Sequence, residues 1–240
     1  MTTQEAFEQF YTELAVLYDH TEAQLVALYV FQDVFQMKHQ DIGKDFSQES
    51  VKKLMVIQDR LLAHEPWQHV VGFADFFGMK FHVSRDVLIP RPETEGLIAL
   101  VLASLQKGQS VLDIGTGSGC IPIILKKEFP ESVITSADIS PQALAIARDN
   151  ANTHDVDIDL REIDILDQDS WKTFEGKQFD IIVSNPPYVL ENEKKSLETR
   201  VVDFDPALAL FVPEKDPLIF YKAIADFATQ FLSHEGMIFF

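Results

Sequence analysis

The chain has 240 residues, 46% of them hydrophobic, which suffices for one large domain or for a medium domain with a small one. Acidic residues number 38 and basic residues 20, so the formal net charge is −18. A field of that sign repels phosphate backbones and anionic lipid surfaces, which disfavours direct nucleic-acid binding. No basic segment precedes an apolar core at the start, and no apolar run is long enough to cross a bilayer. We therefore expect a cytoplasmic protein without a membrane anchor.

The cysteine and histidine residues do not predict a metal site. Cys120 is the only cysteine, which excludes an intrachain disulfide and a zinc site of the multi-cysteine kind. No two of the seven histidines have the H-x-x-x-H spacing of a helical zinc site. Cys120 is expected to be a small buried residue at the start of a helix and not a nucleophile.

Residues 1–70 have the periodicity of a small helical domain. Thr2 and Glu5 form a capping-box pattern ahead of a first helix. Thr21 and Gln24 repeat that pattern ahead of a second helix. Apolar residues at helical spacing predict the buried face of this second helix: Leu25, Leu28, Phe31 and Phe35.

Residues 71–92 are predicted to form a β-hairpin around Gly78, followed by a linker. Two prolines in the segment LIPRPETE then precede a helix. Glu93 and Glu95 lie in the first turn of that helix, where acidic side chains interact favourably with the helix dipole.

Residues 93–240 alternate between strand-like and helix-like segments. The strand-like segments are SVLDIG, SVITSADI, IDLREIDI, FDIIVSN and GMIFF. This alternation predicts an α/β domain with a doubly wound parallel sheet and a ligand site at the carboxyl ends of the strands. Phe240 falls inside the last strand-like run, so we expect the domain to be truncated and the native chain to continue with residues that complete the sheet.

A glycine loop joins the first of these strands to a helix. Its three glycines have the spacing G-x-G-x-G, at Gly115, Gly117 and Gly119. Asp138 ends the second strand, where a carboxylate can accept hydrogen bonds from both hydroxyls of a ribose. Asp164 follows the third strand, where a polar group can meet an adenine edge, and Asp113 lies beside the loop. The pattern predicts a nucleoside-bearing cofactor, although it lacks both the dinucleotide fingerprint and the ending of a P-loop.

The segment SNPPYV leaves the fourth strand through two consecutive prolines, Pro186 and Pro187, neither of which can donate a backbone hydrogen bond. Together with DIGTGSG and ADIS, this segment resembles the S-adenosylmethionine-dependent methyltransferases that act on planar amide or amino nitrogens. The Asn185 side-chain oxygen and the Pro186 carbonyl can each accept one N–H of such a nitrogen. Tyr188 offers a flat face to stack on the planar group, and the prolines hold the two acceptors rigid.

The order of motifs along the whole chain resembles the HemK/PrmC family of release factor glutamine methyltransferases. The resemblance implies methyl transfer from S-adenosyl-L-methionine to the glutamine side chain of the Gly-Gly-Gln motif in peptide chain release factors. It also implies that residues 1–70 help to grip the release factor, and it makes Pro90 a candidate for the site wall. The chain departs from the family in having Asp205 before Pro206 in place of glutamate, and in lacking a glycine-rich turn at residues 212–217.

The site residues predicted from these motifs fall into three groups. The predicted catalytic residues are Asn185, Pro186, Pro187 and Tyr188. The predicted cofactor-binding residues are Asp113, Gly115, Thr116, Gly117, Gly119, Asp138, Ile139, Asp164 and Asn185. The predicted substrate-binding residues are Arg91, Pro92, Glu93, Thr94, Asn185 and Tyr188.

Two other functions are compatible with parts of the sequence. An adenine amino-nitrogen methyltransferase acting on DNA or RNA would also use the NPPY motif, but the charge of −18 argues against it. A non-catalytic binding protein with the same fold would have no need of an intact glycine loop, Asp138 and a complete NPPY motif. The acidic segment at residues 191–200 is expected to be a solvated loop beside the site.

Overall fold

A computed structural model describes residues 1–196 and 203–240 of the chain. Residues 197–202 lie outside the described residues, and with them lies the second part, residues 197–200, of the predicted solvated loop. The chain forms two compact units, Met1–Gly72 and Phe73–Phe240. No helix in the described part of the chain is both long enough and apolar enough to span a membrane.

The first unit is helical. Its helices are α1 (Thr3–Leu14), α2 (His20–Tyr29), α3 (Gln48–Leu62) and α4 (Trp67–Val71), with a π-helical turn at Val30–Val34 and a 3-10 turn at His39–Asp41. The predicted capping box of α1 is confirmed, because the Thr2 side chain accepts from the Glu5 amide and the Glu5 side chain accepts from the Thr2 amide. Aromatic rings fill the core, with Phe31 in contact with Phe10 and Phe46.

The predicted start of α2 is wrong, and the predicted buried face is only partly right, because Phe31 is buried whereas Leu25 and Leu28 are exposed. Asp19, and not Thr21, caps the helix, because its carboxylate accepts from the amides of Thr21 and Glu22. Leu25 is 44% exposed and Leu28 is 37% exposed. The buried stripe instead consists of smaller residues at i, i+3, i+4 and i+7 spacing, which allow close helix packing: Ala23, Val26, Ala27 and Val30.

The second unit begins with the hairpin predicted around Gly78, formed by β1 (Phe73–Phe76) and β2 (Met79–His82). The remaining strands are β3 (Ser110–Ile114), β4 (Val133–Asp138), β5 (Asp159–Glu162), β6 (Phe179–Ser184), β7 (Val189–Leu190), β8 (Phe211–Val212) and β9 (Leu232–Phe239). The helices are α5 (Pro92–Ser104), α6 (Cys120–Glu128), α7 (Pro141–Thr153), α8 (Ala207–Leu210) and α9 (Ile219–Phe231), with 3-10 segments at Ser170–Phe174 and Glu191–Ser196.

Five strands form a parallel sheet in the order β5-β4-β3-β6-β9. The predicted α/β class with a doubly wound parallel sheet is therefore confirmed. The chain runs outward from β3 to β4 and β5, and then returns to the other side of β3 to form β6 and β9. This reversal is the topological switch point, and the crevice at the carboxyl ends of β3 and its neighbours is where such sheets bind ligands.

Alternate residues of the central strands face two separate hydrophobic cores. Val111, Ile181 and Val183 belong to a core with apolar residues of α5 and α6. Leu112 and its neighbours on the same strand face belong to a second core with apolar residues of α9. Because both faces are covered by helices, β3 and β6 are apolar on both sides, and their polar residues lie near the strand ends: Ser110, Asp113, Asp180 and Ser184.

The last strand is longer than the predicted segment GMIFF. β9 pairs with β6 at Phe179 and Leu232, and its register then shifts before Ile181 pairs with Met237. The shift places three additional residues on the β9 side between the two pairings, as in a β-bulge. Within the described residues, β9 forms one edge of the sheet.

Candidate active site

A cavity of about 420 Å³ lies at the carboxyl ends of the sheet strands, wholly within the second unit. Its walls come from the glycine loop after β3, the ends of β4 and β5, the turn after β6, and the segment 86–94. Residues of α8 and α9 complete it, and most of the exposed wall surface is apolar. The size is within the range of small-molecule sites.

The glycine loop is held against the end of β4 by backbone hydrogen bonds. The amides of Gly115 and Thr116 donate to the Ala137 carbonyl oxygen at 2.8 and 3.1 Å. A Cβ atom at Gly119 would lie 3.1 Å from the Ala147 Cβ atom, and the residue has a φ of +80°, so only glycine allows this packing of α6 on α7. Gly115 and Gly117 also have positive φ and line the cavity, where their lack of a side chain leaves the backbone open to a ligand.

Asp138 is bound to this loop by its side chain. Its Oδ2 atom accepts from the Gly117 amide at 2.9 Å, and its Oδ1 atom accepts from the Ser140 amide at 2.9 Å. Burial raises the pKa of Asp138 above its usual range, and these backbone donors oppose part of the shift. Each carboxylate oxygen retains a further acceptor site at the cavity wall. Asp138 is therefore a fixed acceptor in the position predicted for it.

Asp113 lies completely buried beneath the glycine loop. Among the described residues, no backbone amide donates to either of its carboxylate oxygens, and the Thr116 hydroxyl is the one group that interacts with the carboxylate so as to lower its pKa. Burial raises the pKa of Asp113 to about 7, the Thr116 hydroxyl opposes the shift, and the charge of Asp138 adds to it. Asp113 is fully buried and does not line the cavity, so its predicted role in binding a cofactor stays a prediction.

We expect Asp113→Asn to stabilise the ligand-free protein at alkaline pH. The folded-state pKa of about 7 exceeds the unfolded value, so the folded state binds more protons between about pH 4 and pH 7, and the free energy of unfolding falls as the pH rises through that window. The neutral amide removes this penalty, so the variant should unfold about 5–10 °C higher at pH 8 and show little advantage at pH 4.

Thermal unfolding of both proteins from pH 4 to pH 8 tests this expectation. The matched control is Asp157→Asn, which removes an exposed carboxylate of the same unit. If the unfolding temperatures of the wild type and Asp113→Asn change with pH in the same way, the folded protein ionises Asp113 without a loss of stability, and the expectation is wrong.

The ends of β4 and β5 contribute one polar and two apolar groups to the cavity, with Ile139 after β4 and Asp164 and Leu166 after β5. The Asp164 Oδ1 atom accepts from the Leu166 amide at 2.8 Å, which holds the carboxylate at the cavity wall. Ile139 is 47% exposed and Leu166 is 41% exposed, and both line the same cavity. The structure thus brings Ile139 and Asp164 together as predicted. Leu166 was missed because nothing in its sequence context distinguishes it from an ordinary apolar residue.

The turn after β6 is held in place on two sides. The Ser184 hydroxyl donates to the Ile114 carbonyl oxygen at 2.7 Å and so joins the ends of β6 and β3. The Asn185 Nδ2 atom donates to the Thr94 Oγ1 atom at 3.1 Å. Pro186 and Pro187 line the cavity beside Asn185. The NPPY turn therefore meets the glycine loop at a single cavity.

Tyr188 differs from the rest of this motif. Its side chain is 64% exposed and does not line the cavity. The predicted stacking of Tyr188 on a planar substrate group stays a prediction.

The segment IPRPETE is divided between the cavity and the surface. Pro90, Arg91 and Thr94 line the cavity. Pro92 and Glu93 are exposed and do not line it. Roles for Pro92 and Glu93 in binding a substrate stay predictions.

Arg91 forms an ion pair with Asp205, in which the guanidinium Nη2 atom lies 2.5 Å from the carboxylate. Burial raises the pKa of Asp205 to about 6, and the positive charge of Arg91 opposes the shift. A second contact places the Arg85 guanidinium 4.7 Å from the centre of the Phe204 ring. Asp205 therefore anchors the following segment to the cavity wall.

The segment after Asp205 provides wall residues that sequence reasoning missed. The segment ends in β8, which pairs in parallel with β7, and β7 directly follows the NPPY turn. Leu208 lines the cavity although it is 71% exposed, and Phe220 and Ile224 of α9 line it as well. Their apolar character resembles that of core residues, so only their position identifies them.

Asn150 on α7 is a further residue without a sequence signal. Its Nδ2 atom donates to the carbonyl oxygens of Ser118 and His82, at 2.8 and 2.9 Å, and its Oδ1 atom accepts from the His82 amide at 2.7 Å. This buried side chain therefore joins the hairpin to the glycine loop. Because its amide is paired at both ends, it fixes the loop without a direct role at the cavity wall.

No cluster of three or more potential metal ligands among histidine, cysteine, aspartate and glutamate occurs in residues 1–196 and 203–240. Burial raises the pKa of the Cys120 thiol to about 12. Burial thus keeps the thiol protonated at neutral pH, which makes it a poor nucleophile.

A parallel sheet with a glycine loop, an acid at the end of the next strand and an NPPY turn defines a methyltransferase. Residues 95–204 match the family described as the methyltransferase small domain. A release factor glutamine methyltransferase of Bacteroides thetaiotaomicron is 41% identical over 228 residues, which cover 93% of this chain and 81% of that protein. Proteins of the same name from Flavobacterium psychrophilum and Streptococcus pneumoniae are 38% and 45% identical. The alignments cover 97% and 76% of this chain, and 83% and 63% of those proteins.

The chain belongs to the release factor glutamine methyltransferase family. The resemblance inferred from its motifs is confirmed.

Proposed function

We propose that this protein transfers a methyl group from S-adenosylmethionine to a glutamine side-chain amide nitrogen in the Gly-Gly-Gln motif of peptide chain release factors. One observation carries the proposal. Asn185, whose Oδ1 atom accepts no hydrogen bond from any described residue, lies on the same cavity as the glycine loop and Asp138. The names and coverage of the relatives support the same substrate class and do not favour the adenine alternative.

The cavity fits the chemical parts of S-adenosylmethionine, which supplies an electrophilic methyl group on a positively charged sulfur when bound. Asp138 would accept hydrogen bonds from the ribose hydroxyls, since both its oxygens are already oriented by backbone amides. Asp164 would accept from the adenine amino group between the apolar side chains of Ile139 and Leu166. Asp113, which is buried and does not line the cavity, would support the cofactor only indirectly, from the strand end that leads into the glycine loop.

The NPPY turn would make the substrate nitrogen reactive. An amide nitrogen is a poor nucleophile because its lone pair is delocalised. If Asn185 Oδ1 and the Pro186 carbonyl oxygen each accept one of its hydrogens, the nitrogen is favoured in a pyramidal state whose lone pair is free to attack. The interactions strengthen as positive charge develops on nitrogen, and the proton then becomes acidic enough to leave without a strong base.

We further propose that the helical unit, residues 1–70 of the predicted domain, helps to grip the release factor, and that the enzyme works in the cytoplasm. Pro90 and Arg91 would form part of the wall that the substrate segment contacts, together with the anchored segment that contains Leu208. Arg91 would act there through its ion pair with Asp205.

Methyl transfer to a purified release factor tests the proposed function. The protein is incubated with methyl-labelled S-adenosylmethionine and the release factor, and the labelled residue is identified by mass spectrometry. We expect label only on the glutamine of the Gly-Gly-Gln motif, and none on a matched release factor in which that glutamine is alanine. An adenine-containing oligonucleotide serves as the competing substrate, and label on adenine in place of glutamine would contradict the proposal.

A further inference from the structure

Thr94 makes a hydrogen bond to Asn185 whose consequence for the reaction is not evident from the sequence. Thr94 lies in the first turn of α5 and is 6% exposed. Its Oγ1 atom accepts from the Asn185 Nδ2 atom at 3.1 Å, across 91 residues of sequence. Both side chains line the cavity. Thr94 therefore contacts the end of the Asn185 amide that is not required as an acceptor.

The direction of this hydrogen bond determines which end of the amide is free. A side-chain amide has an acceptor oxygen at one end and a donor NH₂ group at the other. With the Nδ2 atom bound to Thr94, the Oδ1 atom points away from Thr94, and no group of residues 1–196 or 203–240 donates to it. If the amide were rotated by half a turn, its NH₂ group would face the N–H groups of the substrate and the acceptor would be lost.

We propose that Thr94 is a positioning residue for methyl transfer, whose hydroxyl holds the Asn185 amide with its Oδ1 atom free to accept from the substrate nitrogen. This inference rests on the proposed function of the same site. It goes beyond a role of Thr94 as a wall residue, because the hydroxyl acts on the substrate only through Asn185. The backbone of Thr94 is fixed in the first turn of α5, because its amide donates to the Arg91 carbonyl oxygen at 2.9 Å, and the burial of the side chain restricts the hydroxyl.

Two substitutions separate positioning from packing. Thr94→Val keeps the shape and burial of the side chain and removes the hydroxyl, whereas Thr94→Ser keeps the hydroxyl and removes a methyl group. We expect Thr94→Val to lower kcat by roughly 5- to 20-fold, with little change in KM or in the Kd of S-adenosylmethionine, because one hydrogen bond that orients a catalytic acceptor is lost. Thr94→Ser should retain kcat close to the wild type. If Thr94 only fills space, Thr94→Ser should lower kcat more than Thr94→Val does.

A double-mutant cycle shows whether Thr94 acts through Asn185. In an Asn185→Ala background, Thr94→Val should have no further effect on turnover, because no amide remains to be oriented. An equal loss of kcat in both backgrounds would overturn the proposal.

A readout without activity keeps this inference separate from the proposed function. The two Nδ2 protons of Asn185, assigned by their loss in Asn185→Asp, are followed by NMR in the whole protein. We expect one of them to be protected from solvent exchange in the wild type and in Thr94→Ser, and exposed in Thr94→Val. Identical Asn185 signals in Thr94→Val and the wild type would overturn the role of Thr94, whether or not a release factor is methylated. A wild type that shows the expected protection but methylates no release factor would contradict the proposed function alone.

Discussion

Asn185→Ala is expected to lower the rate of methyl transfer by about two orders of magnitude or more, as for other single preorganised groups that stabilise developing charge. The substitution removes the acceptor at the cavity wall, and the NPPY turn keeps its other anchor in the Ser184 hydroxyl, which donates to the Ile114 carbonyl oxygen. The affinity for S-adenosylmethionine should change far less, because the acceptor is needed mainly as positive charge develops on the substrate nitrogen. Single-turnover kinetics measure the first quantity, and calorimetry measures the second.

The matched control for this variant is Asn152→Ala, which removes an exposed side-chain amide from α7 in the same unit. It should leave both the rate and the affinity unchanged. Transfer by Asn185→Ala at close to the wild-type rate would mean that Asn185 is a structural residue and that the proposed mechanism is wrong.

Asp138→Ala is expected to weaken the binding of S-adenosylmethionine by about 1.5–3 kcal/mol, the range for hydrogen bonds to a charged acceptor. The structure supports the upper part of that range, about 100-fold in Kd. The same carboxylate accepts from the Gly117 amide of the glycine loop and from the Ser140 amide at the start of α7, so its loss also leaves these two donors without their partner. Calorimetric titration of the folded variant measures the effect.

Removing a carboxylate from a protein with a net charge of −18 also changes its long-range attraction for a cationic ligand. Asp149→Ala controls for this term, because Asp149 is an exposed residue of α7 with the same charge. The control should bind with nearly wild-type affinity. If Asp138→Ala is folded and binds as tightly as this control, the assignment of Asp138 to the ribose is wrong.

Much of the fold and of the site could be predicted from the sequence because the signals are local. The five sheet strands and their connecting helices follow from apolar runs, glycines and prolines that act within a few residues. The glycine loop, Asp138 and Asn185 all follow the ends of parallel strands, and the carboxyl ends of parallel strands meet at one edge of a sheet. Their convergence on one cavity was therefore predictable before any coordinates.

The errors arose where packing partners, and not local pattern, decide the outcome. Leu25 and Leu28 have helical spacing, but a neighbouring stripe of smaller residues, centred on Val26, allows closer packing and is buried instead. Asp19 caps α2 ahead of Thr21 because its carboxylate reaches two backbone amides at once. The buried face and the cap of α2 both depend on small differences in packing and hydrogen bonding, and the spacing of apolar residues along the sequence carries no information about these differences.

The fold class, the family and the residues of the glycine loop and the NPPY turn could all be read from the amino-acid sequence. How those residues are held depends on the folded chain, which brings Thr94 against Asn185 across 91 positions and Arg91 against Asp205 across 114. The folded chain also decides that Asn150 joins the hairpin to the glycine loop and that Tyr188 lies at the surface. The reason is that strand ends carry their own local signals, whereas a hydrogen bond between distant segments depends on where the whole sheet and its helices bring them.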